Sequence, residues 1–507
     1  MEEVRRMQEE KRQLALTAFQ AFLNTPLELL LQRQQQPDAE AAALALFYSA
    51  ATTVPAYQAF LTDQGIDFSS IQTFKDFQTL PLLTKENYLL RYPLSSLCRN
   101  GRLETCDMIA VSSGSTGKPS FWPRFLADEF QVATRFEQVF YDSFQADTRR
   151  TLAVICFPLG TWVGGMYTAN CCRHLASKGY PVTTITPGNN PVEIIRVVQE
   201  LGPGFEQVVL LGYPPFLKDV IDRGRQQGME WQRHQIKLVF AGEVFSEEWR
   251  SLVGERVGGK QPYYDSASLY GTADAGVLGC ETPLSICIRR FLANHPQVAR
   301  ALFGESRLPT LVQYDPLSRF FEVHNGTLLF SGNSGIPLVR YNICDTGGLI
   351  TYDVMLKFLA EWGFDPLMQL QHEGERGIRS LPFVYVFGRS HFTVSYFGAN
   401  IYPENLTVGL EQPGIQAWVT GKFVLQVTED PDSNKHLSVV VELAPDVQAS
   451  EERRQTIATS IRSHLLRLNS EFANYVPLEY QMPQVSLART GDPEYFPSGV
   501  KHRYTRR

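Results

Sequence analysis

The sequence predicts an α/β protein, with a large N-terminal domain of mostly parallel sheets flanked by helices and a smaller α+β C-terminal domain. Three observations predict it. The chain has 507 residues, beyond the size at which one hydrophobic core keeps growing, so at least two domains are expected. From about residue 105 to 350, short β-rich runs alternate with amphipathic helical patterns, the order that parallel sheets with crossover helices require. After Gly388 the pattern changes to short strands, one long helical stretch and a Pro- and Gly-rich tail.

Residues 1–60 read as helical. Leu14, Ala18, Phe19, Phe22 and Leu23 recur at helical spacing, Leu27 opens a second apolar turn, and the polar stretch 32–37 reads as a break. Together with residues 61–100, this stretch forms a helical N-terminal region. Strands are expected at 108–111, 152–157, 181–185, 208–211 and 236–240, and helices at 127–144, 191–199 and 215–227. The large domain is expected to end at 387. Beyond it, strands are expected at 423–427 and 437–443 and a helix at 450–468.

Composition narrows the function class. Hydrophobic residues are 44% and charged residues 20%, a globular profile. The net charge of −6 argues against nucleic acid as a partner, because phosphate-backbone binding needs a basic footprint. The longest apolar runs, 152–159 and 208–213, are too short to span a bilayer, so no membrane partner is expected. The first ten residues mix acids and bases without an apolar core, unlike a secretion signal. Eight cysteines without any C-x-x-C pair fit a reduced, cytoplasmic setting. Cys280, Cys287 and His295 fit no zinc-ligand spacing, and a buried structural cysteine is the better reading.

The most informative stretch is Val111-Ser112-Ser113-Gly114-Ser115-Thr116-Gly117-Lys118-Pro119, which follows an expected strand. Its glycines allow a tight turn, its hydroxyls and backbone N–H groups form a concavity for anionic oxygens, and Lys118 adds positive charge. By composition alone it is an ordinary Ser- and Gly-rich surface loop. It is not a Walker A loop, whose spacing is longer and whose lysine precedes Ser or Thr. The full string closely resembles the phosphate loop of the adenylate-forming superfamily of acyl-CoA synthetases, adenylation domains and luciferases.

Further segments match that family in order. Thr53-Val54-Pro55-Ala56-Tyr57, Leu80-Pro81-Leu82-Leu83-Thr84-Lys85 and Tyr92-Pro93 resemble the N-terminal region of phenylacetate–CoA ligases. Phe240-Ala241-Gly242-Glu243-Val244 resembles the strand end that packs against adenine; read without the family, it is a strand-to-helix turn. Leu269-Tyr270-Gly271-Thr272-Ala273-Asp274 resembles the Tyr-Gly-x-Thr-Glu motif, in which tyrosine lies near adenine, threonine touches phosphate and the acid helps hold magnesium. Here Ala273 replaces the threonine and Asp274 the glutamate, and aspartate remains a hard oxygen ligand. Val339-Arg340-Tyr341-Asn342-Ile343-Cys344-Asp345 resembles Arg-Tyr-x-Thr-Gly-Asp, which assigns Asp345 to the ribose hydroxyls. Phe387-Gly388-Arg389-Ser390-His391 resembles the hinge, with Arg389 toward ribose or phosphate and His391 in place of the usual Asp or Lys. Gly398-Ala399-Asn400-Ile401-Tyr402-Pro403 resembles the segment along the thiol tunnel of phenylacetate–CoA ligases. Ser498-Gly499-Val500-Lys501 resembles the region carrying the adenylation lysine, which makes Lys501 the catalytic candidate; on charge alone it belongs to a basic tail.

The resemblance implies ATP, Mg2+ and CoA as cofactors and a small carboxylic acid as substrate. It implies a mobile small domain that swings about Arg389 and His391 between acyl-AMP formation and thiol transfer. Phe157, Trp162, Gly164 and Tyr213 are expected to wall the acid pocket; each taken singly is equally well read as core packing. A carrier protein, an amine or another cofactor as acceptor stays open, as does a homodimer. A rival from another class is a nucleotide- or acid-binding protein without turnover. The departures at Ala273, Asp274, Ile343, Cys344 and His391 favour it, while the phosphate loop, Asp345, Arg389 and Lys501 oppose it.

Overall fold

The computed structural model describes residues 2–35, 38–111, 120–161, 163–305, 308–371, 376–389, 394–397, 399–429, 435–469, 472–473, 476–497, 502 and 504–505. In chain order the strands are β1 (Met108–Val111), β2 (Phe121–Arg124), β3 (Thr151–Ile155), β4 (Val182–Ile185), β5 (Gln207–Gly212), β6 (Ile236–Ala241), β7 (Ser266–Thr272), β8 (Gly276–Cys280) and β9 (Thr310–Gln313). They continue as β10 (Arg319–His324), β11 (Thr327–Gly332), β12 (Leu338–Ile350), β13 (Phe383–Arg389), β14 (Val394–Tyr396), β15 (Ala399–Ile401), β16 (Val419–Glu429), β17 (Lys435–Leu443) and β18 (Gln484–Ala488). Among the described residues the main sheet has 11 strands in the order β10-β11-β12-β13-β9-β8-β7-β6-β5-β3-β4.

The helix-flanked α/β architecture matches the expectation, and the parallel pairing is confined to one half of this sheet. Strands β4, β3, β5, β6 and β7 pair in parallel. Their sequences are near-continuous apolar runs because both faces are covered. Val154, Leu210 and Leu238 pack on one face with helices Pro191–Leu201 and Pro214–Gln226. Ala153, Val209 and Val239 pack on the other with helix Leu126–Asp142. Asn190 caps Pro191–Leu201 by accepting from the Glu193 N–H, and Pro191 occupies the first turn, where a missing N–H costs nothing.

From β7 onward the pairing within this sheet is antiparallel. The expected strand 108–111 exists, but it pairs with β2 in a separate two-stranded ribbon rather than joining the main sheet. Its partner contains Pro123, which lacks an N–H and is tolerated because β2 is an edge strand of this ribbon.

The N-terminal region forms helices Glu2–Asn24, Leu27–Gln35, Ala39–Thr53 and Pro55–Asp63. Phe47, Tyr57, Phe60 and Phe77 form one core with Tyr341, Leu338 and Phe330 of the antiparallel half. Beyond those helices, Leu83 is stitched to β12. The Leu83 N–H donates to the Arg340 carbonyl at 3.2 Å, and the Asn342 N–H donates to the Leu83 carbonyl at 2.8 Å. Strand β12 needs such bracing because Arg340 (φ 49°) and Cys344 (φ 63°) sit in the left-handed region, costly for side chains other than glycine.

The C-terminal part has its own sheets, β14-β15 and β16-β17-β18. Its core gathers Phe423, Leu425, Val439, Val441, Ile457, Ile461 and Leu465. Ser450 caps helix Glu451–Leu468 by accepting from the Arg453 N–H. This body touches the rest of the chain through Lys218 Nζ, which donates to the Val419 carbonyl at 3.4 Å, and through the Ser246 hydroxyl, which donates to Glu411. Burial pushes the Glu411 carboxyl up to about 8 from its ordinary 4.5, so the folded chain keeps a proton that the unfolded chain gives up across that interval. The resulting stability is full below 4.5 and fades as pH rises through 8. Glu411→Gln is therefore expected to flatten the decline of the thermal midpoint over this interval, which scanning fluorimetry as a function of pH would read.

Among the described residues no single helix is long and apolar enough to cross a membrane.

Candidate active site

Register in the parallel half delivers several of the sequence-selected residues side by side. Ile155 pairs with Leu211, Leu211 with Val239, and Ala241 with Leu269. Phe157, Tyr213 and Gly242 therefore leave the C-terminal ends of β3, β5 and β6 in a row, which Tyr270, in the last residues of β7, continues. That edge is where open parallel sheets present ligand crevices.

Phe157 and Tyr213 meet edge to face with ring centroids 5.0 Å apart. A Cβ on Gly164 would lie 3.8 Å from both the Phe157 ring and the Tyr213 hydroxyl, so this glycine borders the same aromatic pair. Trp162 lies outside the described residues. Gly242 has φ +86°, and a Cβ there would come within 2.7 Å of the Tyr213 ring. Gly242→Ala is thus expected to destabilise the fold by about 1–3 kcal/mol through strain and overpacking. A thermal midpoint equal to that of the wild type would contradict the tight fit.

Burial, then the Glu243 carboxylate, push the Tyr213 phenol above its ordinary range, so the ring presents a neutral hydroxyl. The exit of the Gly242–Glu243 turn is held by buried charge. Arg289 donates to the Phe245 carbonyl at 2.6 Å and to the Glu247 carboxylate, and Arg250 donates to Glu281 at 2.6 Å.

The Tyr270 phenol donates to Asp345 Oδ2 at 2.7 Å, joining the end of β7 to β12. Asp345 is the cross-strand partner of Arg389, the last residue of β13, so the two backbones lie directly opposite. Asp274 sits in the turn between β7 and β8, where the Tyr341 phenol donates to its Oδ2 at 2.6 Å. Thr272 spends its hydroxyl within this turn, accepting from the Ala275 N–H at 3.2 Å. Gly271 faces the Gly276 carbonyl so closely that a Cβ would meet it at 2.8 Å.

Three residues that hold this turn are not among those the sequence singles out for the site. Arg124 donates to the Ala273 carbonyl, Arg319 Nη2 donates to the Ala275 carbonyl at 3.0 Å, and Tyr341 holds the acid between them. The two arginines are buried, and Asp128 beside them is pushed up to about 6 by burial, against the pull of Arg124, Arg99 and Arg319. Tyr341 stands inside a family-like string, a signal sufficient to find it. Arg124 and Arg319 carry no sequence signal.

The phosphate-loop residues Ser112, Ser113, Gly114, Ser115, Thr116, Gly117 and Lys118 lie outside the described residues, as do His391, Gly398 and Lys501. The loop's two ends, Val111 and Phe121, are cross-strand partners at the close of the β1-β2 ribbon. On either side of the C-terminal tail, His502 Nε2 lies 2.7 Å from the Phe423 carbonyl, and the Leu425 N–H donates to the Tyr504 carbonyl at 2.7 Å. The Tyr504 phenol donates to Glu243 Oε2 at 2.7 Å. Cys280 and Cys287 are buried, and burial pushes the Cys280 thiol up to about 12.

No family model matches the sequence, and no curated protein matches it significantly. The fold, by contrast, is shared with solved structures. 2-Hydroxyisobutyryl-CoA ligase in the postadenylation state, in complex with R3-HIB-AMP, superposes with a TM-score of 0.64 at 14% identity, covering 92% of this chain and 87% of that one. The same ligase with 2-HIB-AMP and CoA in the thioesterification state gives 0.52 at 15% identity, covering 94% and 91%. Its open conformation with the same two ligands gives 0.53 at 14% identity, covering 92% and 90%. Over nearly its whole length the chain has the fold of that ligase.

Proposed function

We propose that this protein joins an organic carboxylic acid to AMP at the expense of ATP and then passes the acyl group to a thiol, CoA in the first instance. The observation that carries this reading is the row Phe157, Tyr213, Gly242 and Tyr270 along one sheet edge, continued to Asp345 by the Tyr270 phenol. Residues assigned to an acid pocket and residues assigned to a nucleotide fall on one continuous edge. The shared fold supports the same class, and the order of the motifs favours the phenylacetate–CoA ligase branch.

In the first step a carboxylate oxygen attacks the α-phosphorus of ATP, an O–P bond forms, and pyrophosphate departs. Ser112 to Lys118 grip the phosphates, Asp345 accepts the ribose hydroxyls, Gly242 and Tyr270 border the adenine, and Lys501 meets the charge that develops at the α-phosphate. Phe157, Trp162, Gly164 and Tyr213 surround the acid. In the second step the thiol sulfur attacks the acyl carbon and AMP leaves. The segment from residue 388 turns about Arg389 and His391 between the two, so one site serves both reactions.

Magnesium fits the donor set. Among the described residues no three His, Cys, Asp or Glu side chains converge. Magnesium with a nucleotide asks for only one or two protein carboxylates, taking its other ligands from phosphate and water. Asp274 would hold it, and bound there it would neutralise phosphate charge. Tyr341 holds that carboxylate beforehand, and Arg124 and Arg319 hold the backbone carbonyls on either side of it. We place the protein in the cytoplasm on its cysteine usage.

ATP–pyrophosphate exchange across a panel of aromatic, aliphatic and hydroxy acids, with and without CoA, tests the reading. Acid-dependent exchange with CoA consumption supports it. Exchange without CoA consumption assigns another acceptor, such as a carrier-protein thiol or an amine. Absence of exchange with every acid rejects turnover in favour of a binding protein.

A further inference from the structure

The C-terminal tail meets the rest of the chain at the turn assigned to adenine. The Glu243 carboxylate in that turn accepts the Tyr504 phenol at 2.7 Å, a bond spanning 261 residues of sequence. The phenol is held from its own side as well. Its ring packs on Phe423 at 5.0 Å and on His502 at 4.5 Å, and the Tyr504 carbonyl accepts from the Leu425 N–H. Thr505 continues as a parallel bridge to Leu425, so the tail is an added strand-like segment on the C-terminal sheet. Tyr504 is therefore rigid within one body and reaches the sheet edge of the other. It arrives next to the aromatic pocket, because the same Glu243 lies beside Tyr213.

We infer that the Tyr504–Glu243 hydrogen bond is a latch that holds the C-terminal body on the Gly242–Glu243 turn during adenylate formation and opens before thiol transfer, with Tyr504 as a positioning residue. This rests on the proposed two-step reaction for its timing, while the latch itself does not depend on any substrate. The chemistry suits a reversible latch. The bond to a carboxylate is directional and stronger than a neutral pair, yet it is one discrete polar contact among several between the two bodies and can be exchanged for water. Burial, then Glu243, hold the Tyr504 phenol far above neutral pH, so it stays a donor throughout the working range. Ser246 with Glu411 and Lys218 with Val419 also join the two bodies, Ser246 three residues beyond Glu243 and Lys218 on helix Pro214–Gln226.

The test uses full-length wild type, Tyr504→Phe, Glu243→Gln and the double variant. Phenylalanine keeps the packing on Phe423 and His502, and glutamine keeps an acceptor oxygen. Amide hydrogen exchange without ligand reads the latch alone. Tyr504→Phe is expected to speed exchange at the Leu425 amide and across 242–246 by about tenfold or more, the effect of losing one hydrogen bond to a charged group. Glu243→Gln is expected to give a smaller increase, and the double variant no more than Tyr504→Phe. On the catalytic side, Tyr504→Phe is expected to lower kcat for pyrophosphate exchange about tenfold with the KM for ATP nearly unchanged, and to leave thioester formation from supplied acyl-AMP at the wild-type rate or faster. Wild-type amide protection in both single variants would overturn the latch whatever the catalytic result. Altered protection in a protein whose wild type catalyses no exchange would retain the latch and remove the reaction assigned to it. Equal losses in both half-reactions would reduce Tyr504 to a packing residue.

Discussion

Lys501→Ala is expected to cut ATP–pyrophosphate exchange by on the order of 10²–10³-fold, the usual loss when one donor to developing oxyanion charge is removed. The same variant is expected to convert supplied acyl-AMP and CoA to thioester at the wild-type rate, because the thiol step has no pentacovalent phosphorus to stabilise. This asymmetry separates a catalytic lysine from a merely structural one, since a damaged fold would slow both halves together. The neighbouring tail supports the assignment. Tyr504 reaches the Gly242–Glu243 turn, and His502 and Tyr504 are both fastened to the strand that begins the C-terminal three-stranded sheet. Equal exchange in the wild type and Lys501→Ala would withdraw the role.

The second large effect is expected at Asp345. Asp345→Ala should raise the KM for ATP by about 10–100-fold, corresponding to the loss of one hydrogen bond to a charged acceptor at about 1.5–3 kcal/mol. A change in KM with kcat largely retained would mark binding that is the same in the ground and transition states, as expected for ribose recognition. The substitution also strips the Tyr270 phenol of its acceptor at the end of β7. Tyr270→Phe therefore serves as the control, because it keeps the carboxylate and removes only the internal bond. If Tyr270→Phe reproduced the full loss, Asp345 would be acting through the strand junction and not through the nucleotide.

Much of the parallel half is legible in the sequence because burial on both faces leaves continuous apolar runs. Expected strands 152–157, 208–211 and 236–240 start or end within a residue or two of β3, β5 and β6. The antiparallel half is not legible in the same way. Strand–helix alternation reports crossover connections, whereas β10 to β12 succeed one another through short turns and include Arg340 and Cys344 at positive φ. At the site, Tyr270, Asp274 and Asp345 are readable because each sits in a contiguous string. Arg124 is not, since its partner at Ala273 lies 149 residues away, nor is Tyr504, whose partner is more distant still. Pairing at such separations leaves no periodic trace along a single chain.

Leu83 sits in β12's ladder from both directions, which makes the opening hundred residues a splint for the sheet instead of a detachable prelude. The Arg340 guanidinium also donates to the Gln78 and Leu80 carbonyls. Excising that stretch would orphan these donors and let the strand bearing Tyr341 and Asp345 relax. A chimera that keeps this strand therefore has to keep the stretch that braces it.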